Sequence, residues 1–408
     1  MSKVFQGTTT NNVTELTLQN EGGNIGTQTI VWDGTQGTID QVIGDIPNNW
    51  KDGDDSLKQL QIGSSCTSIG SHAFYYCSGF TGALTIPNSV TSIKFQAFEN
   101  CSGLTGSLTI PDSVTFIGYA AFQGCSGLNG SLTLPTNPNF TSIRNSAFRE
   151  CTGLTGSLVI PDSVTTIGSF PFYQCSGLTG SLTIPDSVTS IGYAAFQGCT
   201  NLTGSITIGN NVTNISGQAF VNCSGLTGSL TIPDSVTFIG YAAFKGCSGF
   251  NSSLTLPTNP NSTSIRSEAF RSCTGLTGSL VIPDSVTTIE DFSFSDCGFT
   301  GSLTIPDSVI SIGYAAFQGC TNLTGSITIG NNVTNISDQA FGYCIGVNTL
   351  YTNADVASWI GIGGLTGTSS LTTIYVGPDA VGTYTSTFQQ GSGMTVLPWN
   401  NYPNPIPN

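Results

Sequence analysis

Apolar residues in this chain recur on a fixed schedule, seen in the stretch GLTGSLTIPDSVTSIGYAAFQGC that ends at Cys199. In SLTIP the alternation turns Leu182 and Ile184 inward and Ser181 and Thr183 outward, the period-two pattern of a half-buried strand. Pro185 removes a ladder donor and Asp186 suits a turn, so the strand stops there. Val188 and Ile191 form a second inward pair, Gly192 permits a bend, and Ala195, Phe196 and Cys199 complete an apolar wall. This places about seven apolar side chains per turn on the inside. Burying a Leu or Phe is worth roughly 1.5–3 kcal/mol, but a single turn leaves its wall open and folds only against neighbours.

The most regular part of the wall is the pentad AFxxC or a close variant, which returns twelve times, from Phe74 and Cys77 to Phe341 and Cys344. The step is 24 residues, stretched to 26 before Cys151 and Cys273 and cut to 23 before Cys320. A fixed period of this size predicts a solenoid. The 408 residues are then one array with two ends, because each turn packs only on its neighbours. A larger repeat overlies the small one. Residues 101–138 and 223–260 differ at three of 38 positions: Gln123 against Lys245, Leu128 against Phe250 and Gly130 against Ser252. Duplicating five turns multiplies a surface or a length, whereas an active site needs one unlike constellation.

A run such as IPDSVTSIGYAAFQGCTNL closely resembles the BspA-like leucine-rich repeats, whose turns read IPxxVTxIGxxAFxxCxxL. The resemblance covers residues 62–346. It implies a mainly β, right-handed leucine-rich-repeat solenoid of about twelve turns of 23–26 residues, with a parallel sheet on one face and work at cell surfaces. Two departures are visible. LTGSLTIP is one residue longer than the family's LTSITIP, which predicts a different bend before the strand. The turns with LPTNPNF and LPTNPNS add two residues after the strand, and Ser262 takes an apolar position.

Residues 1–61 lack AFxxC but hold strand-like stretches in VTELTL, TQTIVW and TIDQVI, and are expected to cap the array or attach it. Residues 347–408 are expected to close the other end through LTTIYVGPDAVGTY, followed by an extended Pro-rich tail, PWNNYPNPIPN.

Charged residues make up only 8% of the chain and hydrophobic ones 38%, so the chain folds and relies on Ser, Thr and Asn for solubility. A net charge of −14 argues against nucleic acid as a partner. No run approaches the roughly 18 apolar residues of a membrane helix. The stretch MSKVFQGTTTNNVTELTL lacks the apolar core of a secretory signal. Neither membrane insertion nor classical secretion is expected.

Of thirteen cysteines, twelve belong to the repeat and Cys66 aligns with Val90, a small core position. A one-per-turn ladder sets Cβ vectors parallel, which suits reduced, buried small hydrophobes better than disulfides. His72 is the one histidine, so neither a metal centre nor a cofactor is indicated, and it reads as a surface side chain. Asp112, Asp162, Asp186, Asp234, Asp284 and Asp307 all occupy the PDS turn, with Asp162 and Asp186 one turn apart. Each is expected to bond its own backbone; a calcium bridge or paired acids is the alternative.

Charge placement is more informative. From Cys66 to Cys344 the basic residues are Lys94, Arg144, Arg149, Lys245, Arg266 and Arg271, all in or beside GxxAFxxC. The strand's outward positions instead read Ser107 and Thr109, Ser131 and Thr133, Ser181 and Thr183, Ser205 and Thr207, Ser229 and Thr231, Ser253 and Thr255, Ser302 and Thr304, Ser326 and Thr328. Val159 and Val281 interrupt the Thr row at matching places.

This neutral hydroxyl face, with Tyr119, Tyr193, Tyr241 and Tyr314 as aromatic neighbours, suits repeated weak contacts with a glycan or protein surface. The alternatives are a structural spacer packed against neighbouring subunits, for which Ser and Thr are ordinary solvent-facing strand residues, and ice or crystal binding, which curvature opposes. The reading adopted is a non-catalytic adhesion or recognition protein of a cell surface or a virus or phage particle.

Overall fold

The computed structural model describes residues 4–5, 16–20, 28–32, 38–39, 58–62, 66–352, 365–377 and 395–398. The Pro-rich tail beyond Pro398 and the polar run KDGDDSL lie outside the described residues. Two compact units follow one another along the chain, Met1–Asn211 and Val212–Asn408. All regular secondary structure among the described residues is β.

Within each unit every turn feeds three backbone ladders. The first is the predicted strand: Leu182–Ile184 pairs in parallel with Ile206–Ile208, Thr183 facing Thr207. In the second unit Leu230–Thr231 pairs with Leu254–Thr255, and Gly301–Thr304 with Leu323–Ile329. The second ladder is a two-residue strand per turn, as in Ser142–Ile143, Thr166–Ile167 and Ser190–Ile191. Both ladders reach upstream of the first AFxxC, where Gln28–Trp32 pairs with Lys58–Gln61 and Thr38–Ile39 with Ser68–Ile69. Each of the three strand-like stretches near the start contains a strand, and Leu16–Asn20 pairs antiparallel with both Val4–Phe5 and Gln28–Trp32.

The third ladder is made by AFxxC itself and is not legible as a strand. Alternate amides point to the next turn: Ser146, Phe148 and Glu150 donate to Ser169, Pro171 and Tyr173 at 2.9, 2.9 and 2.7 Å. The intervening amides of Ala147, Arg149 and Cys151 fold back to the carbonyls three residues earlier. To achieve this the residue two before each Phe adopts the left-handed region, and so does the residue before each Cys, with φ of 51–61° wherever it is not glycine. Such a conformation costs an L-residue about 1–2 kcal/mol, and the hydrogen bonds it makes possible to the next turn hold it in place.

The core follows the pattern and adds to it. Leu182, Ile184, Val188, Ile191, Ala195, Phe196 and Cys199 are all buried, and so are Leu178 and Ala194. The Leu of SGL is thus a wall residue. The phenylalanines stack face to face, from Phe74–Phe98 at 5.1 Å to Phe148–Phe172 at 5.6 Å in the first unit. In the second unit Phe220–Phe244 is 5.1 Å and Phe317–Phe341 5.3 Å. Offset ring pairs of this kind add about 0.5–1.5 kcal/mol each beyond area burial. The two-residue insertions leave the core in step. Phe140 and Ser262 both fill the slot held by Val elsewhere, at 0% and 4% exposure.

The extra residue of LTGSLTIP also has a visible consequence. Gly106, Gly180, Gly228, Gly301 and Gly325 take φ near +80 to +93°, and the pairing register shifts beside Gly301 and Gly325. This is the bend that the longer segment predicts, and glycine is the residue that enters it without strain.

Candidate interaction face

The SxT rows line the outside of the first ladder. All sixteen residues are exposed except Ser326 and Thr328, which are half-buried. The two rows differ chemically. Ser131 donates its amide to Ser107 Oγ at 3.1 Å and Ser326 its amide to Ser302 Oγ at 3.2 Å, so serine oxygens stand in for backbone acceptors where the register shifts. Ser hydroxyls also bond one another, Ser131 to Ser107 at 3.3 Å and Ser229 to Ser252 at 3.1 Å. The hydroxyls of the Thr row, Thr109, Thr133, Thr183, Thr207, Thr231, Thr255, Thr304 and Thr328, make no hydrogen bond to protein among the described residues. They point outward at each turn, with Val159 and Val281, 69% and 71% exposed, in the same row.

A contrasting Thr row lies beside the second ladder. There the hydroxyls are spent: Thr91 donates to the Thr67 carbonyl at 3.1 Å, Thr165 to Thr141 at 3.1 Å and Thr237 to Thr213 at 3.2 Å. Serines of the PDS turn are spent likewise, Ser113 on the Val90 carbonyl and Ser235 on that of Val212, with the Ser308 hydroxyl, buried and without a partner among the described residues, the exception. Sequence reasoning missed this division because all four kinds of position carry the same two residue types.

The aspartates flank the SxT rows across a shallow depression of about 530 Å³ lined by Asp162, Thr183, Pro185, Asp186, Thr207 and Asn210. They do not serve their own turn as expected. Asp112 Oδ1 accepts the Thr136 amide and hydroxyl at 2.7 and 3.0 Å, Asp234 does the same with Thr258, and Asp186 and Asp307 accept the Asn210 and Asn331 amides at 2.6 and 2.7 Å. In the stack the next turn's amide lies within reach of the carboxylate. Asp162 and Asp284 face turns that carry another PDS and have no such bond. Among the described residues no three metal-ligating side chains cluster.

The tyrosines expected beside the hydroxyl face belong elsewhere. Tyr193 packs on Phe170 and Tyr314 on Phe292 at 5.3 and 5.2 Å, along the third ladder, with the Pro-Asp turn and the second ladder between them and the SxT rows. The arginines also sit over aromatic rings away from the SxT rows: Arg149 over Tyr173 and Arg271 over Phe292 along the third ladder, and Arg144 over Phe116 and Arg266 over Phe238 along the second, at 4.4–5.4 Å. His72, expected at the surface, is half-buried, because Gln96 in the same place one turn on bonds its Nε2 at 2.8 Å.

All thirteen cysteines are free and buried, as the parallel ladder requires. Their role is more specific than filling space. Cys125 Sγ donates to the Phe98 carbonyl, Cys247 to Phe220 and Cys273 to Phe244, at 3.0–3.1 Å. Burial pushes the thiols of Cys125, Cys273 and Cys344 up to about 12.

The model of the BspA-type leucine-rich repeat region matches in six copies over residues 45–179, 130–251 and 250–361. The chain belongs to the BspA-type leucine-rich repeat family. Among solved structures, this BspA-type array is similar to a leucine-rich repeat protein from Bacteroides ovatus, with 22% identity over 84% of each chain and a TM-score of 0.49. It is also similar to a leucine-rich cell surface protein from Faecalibacterium prausnitzii, with 24% identity, coverage of 98% and 95% and a TM-score of 0.43. The pneumococcal vaccine antigen PcpA aligns at 16% identity over 97% and 98%, with a TM-score of 0.47. A search of curated proteins found no match.

Proposed function

We propose that this BspA-type protein is a non-catalytic recognition protein whose Thr row docks a glycan or protein surface. One observation carries the reading: the Thr hydroxyls of the first ladder face outward without a protein partner among the described residues, while the Thr hydroxyls beside the second ladder donate to backbone carbonyls. Each hydroxyl offers a donor and two acceptor positions, and the exposed valines supply apolar contact within the same row. Single contacts of this kind are weak. Repetition at every turn raises the effective concentration of each next contact, so affinity grows with the number engaged. A surface location, on a cell or on a virus or phage particle, would give such a face a partner of matching extent.

The test is a glycan and protein array probed with the full chain. Thr183→Lys and Thr231→Lys insert charges into the rows at exposed positions, where the fold tolerates them. Binding that survives moderate salt and falls on either substitution is the expected result. An absence of binding at high display density, or binding indifferent to both substitutions, refutes recognition by this face and leaves a spacer packed against its neighbours.

A further inference from the structure

The duplicated turns provide an internal comparison. The stretch Tyr193–Cys223 returns almost unchanged as Tyr314–Cys344, but its counterpart at 71–101 departs from both. His72 stands where the later copies have Ala194 and Ala315, Tyr75 and Tyr76 where they have Gln197 and Gly198 or Gln318 and Gly319. Phe95 replaces Gly217 or Asp338, and Glu99 replaces Val221 or Gly342. The substituted residues meet on the third ladder. Phe95 stacks on Tyr119 at 5.3 Å with planes 15° apart, His72 lies edge-on to Phe95 and Tyr75, and Tyr75 contacts Tyr76 at 4.4 Å. The four large rings are 38–50% exposed. Beneath them Glu99 is 5% exposed, accepting a hydrogen bond from Gln96.

Further along the same face, surface rings and glutamates recur with a third component. Arg149 sits over Phe170 and Tyr173 and pairs with Glu150 at 3.0 Å. On the adjoining second ladder, Arg266 likewise sits over Phe238 and pairs with Glu290 at 3.1 Å. Arg271 sits over Phe292 and pairs with Glu268 at 3.6 Å. At the first turns the rings and the glutamate stand together, and among the described residues no cation is ion-paired with Glu99. Lys94, on the same turn, makes an interaction of its own.

We propose that this cluster is a receptor for an arginine side chain of a partner protein, which completes the ring–guanidinium–carboxylate arrangement that the chain elsewhere builds from its own residues. Flat rings accept a guanidinium face-on. A buried carboxylate without an ion-paired partner is costly, and burial holds the Glu99 carboxyl above the usual range even though His72 and Arg149 offset part of the effect; a cation placed against it relieves that cost. The site is on a different ladder from the Thr row, so the two stand or fall separately.

The full chain is passed over surfaces displaying the peptide Gly-Ser-Arg-Ser-Gly or the same peptide with neutral citrulline or with lysine. Retention on arginine, weakened by salt and about tenfold poorer on citrulline, is expected from loss of the cation–ring and charge-assisted contacts. The variant Tyr75→Gln/Tyr76→Gly/Phe95→Gly/Glu99→Val installs residues that turns of this chain already use, and Glu99→Gln is a milder second. Both should lose about tenfold in affinity, whereas Asp284→Asn, which removes one charge on another face, should lose nothing. Equal binding to citrulline, equal binding to lysine, or retention unchanged by both cluster variants would each overturn the assignment.

Discussion

Raising the pH should unfold this protein through its thiols. The thiols of Cys125, Cys273 and Cys344 are buried, each with its proton in a hydrogen bond to a phenylalanine carbonyl one turn back. An ordinary thiol ionises near 9.0, but Cys125, Cys273 and Cys344 are held up to about 12. The unfolded chain therefore releases these protons first, and stability must fall as pH rises from about 9 towards 12. One pH unit above the unfolded value, each such thiol removes about 1.4 kcal/mol. At pH 10 the three together remove about 4 kcal/mol, and the other core thiols with raised values add to it. That is comparable with the stability of a whole small domain. Urea melts followed by circular dichroism at pH 8 and pH 10 measure the loss directly. Cys125→Ala separates packing from ionisation. It should cost about 1–2 kcal/mol at pH 8 through lost volume and a lost hydrogen bond. It should also flatten the difference between pH 8 and pH 10 by about 1.4 kcal/mol. If thiolate absorbance rises at pH 10 while the ellipticity of the native chain is unchanged, or if Cys125→Ala leaves the pH dependence intact, the thiols do not carry this linkage.

Two further substitutions test the ladders. Asp234→Ala removes the acceptor for the Thr258 amide and hydroxyl and should cost about 0.5–1.5 kcal/mol in a urea melt, with faster hydrogen exchange at Thr258, while Asp284→Ala should be neutral. Ser272→Gly, at φ 60°, should stabilise by about 0.5–1 kcal/mol by relieving the left-handed strain. Gly246→Ala, at φ 73° and with the new methyl 2.3 Å from Asn222 Oδ1, should destabilise by a similar amount or more, read from thermal melts.

What the sequence made legible is what a single turn contains. Leu182, Ile184, Phe196 and Cys199 point inward and Ser181 and Thr183 outward because strand alternation is a local property. What it hid is what one turn does to the next. The Asp186 carboxylate, the Cys247 thiol and the Thr165 hydroxyl all find their partners one turn away, and stacking register, not local sequence, decides which atoms come within reach. The third ladder was hidden for a related reason. AFxxC reads as a turn with an apolar face, and nothing in Ser146 or Glu150 announces a left-handed backbone that sends alternate amides to the neighbouring turn. The tyrosines were assigned to the wrong side on the same account, since Tyr193 is close in sequence to the Thr183 strand but belongs to the next side of the coil. The cluster of His72, Tyr75, Tyr76, Phe95 and Glu99 escaped the sequence reading because its members come from two different turns and meet only when the turns stack.

The three ladders have a consequence for survival outside a folded cell interior. A protease must draw a length of backbone into its cleft in an extended form, and it finds such lengths in loops whose amides are unengaged. Within each unit each turn is tied to its neighbour on every side of the coil, by the Leu-Thr strand, by the Ser-Ile strand and by the alternating amides of AFxxC, and short tight bends join them. Cleavage would require a whole turn to open, and opening one turn strips the apolar wall from two neighbours. Digestion of each native unit should therefore proceed from its ends rather than by nicks along its length.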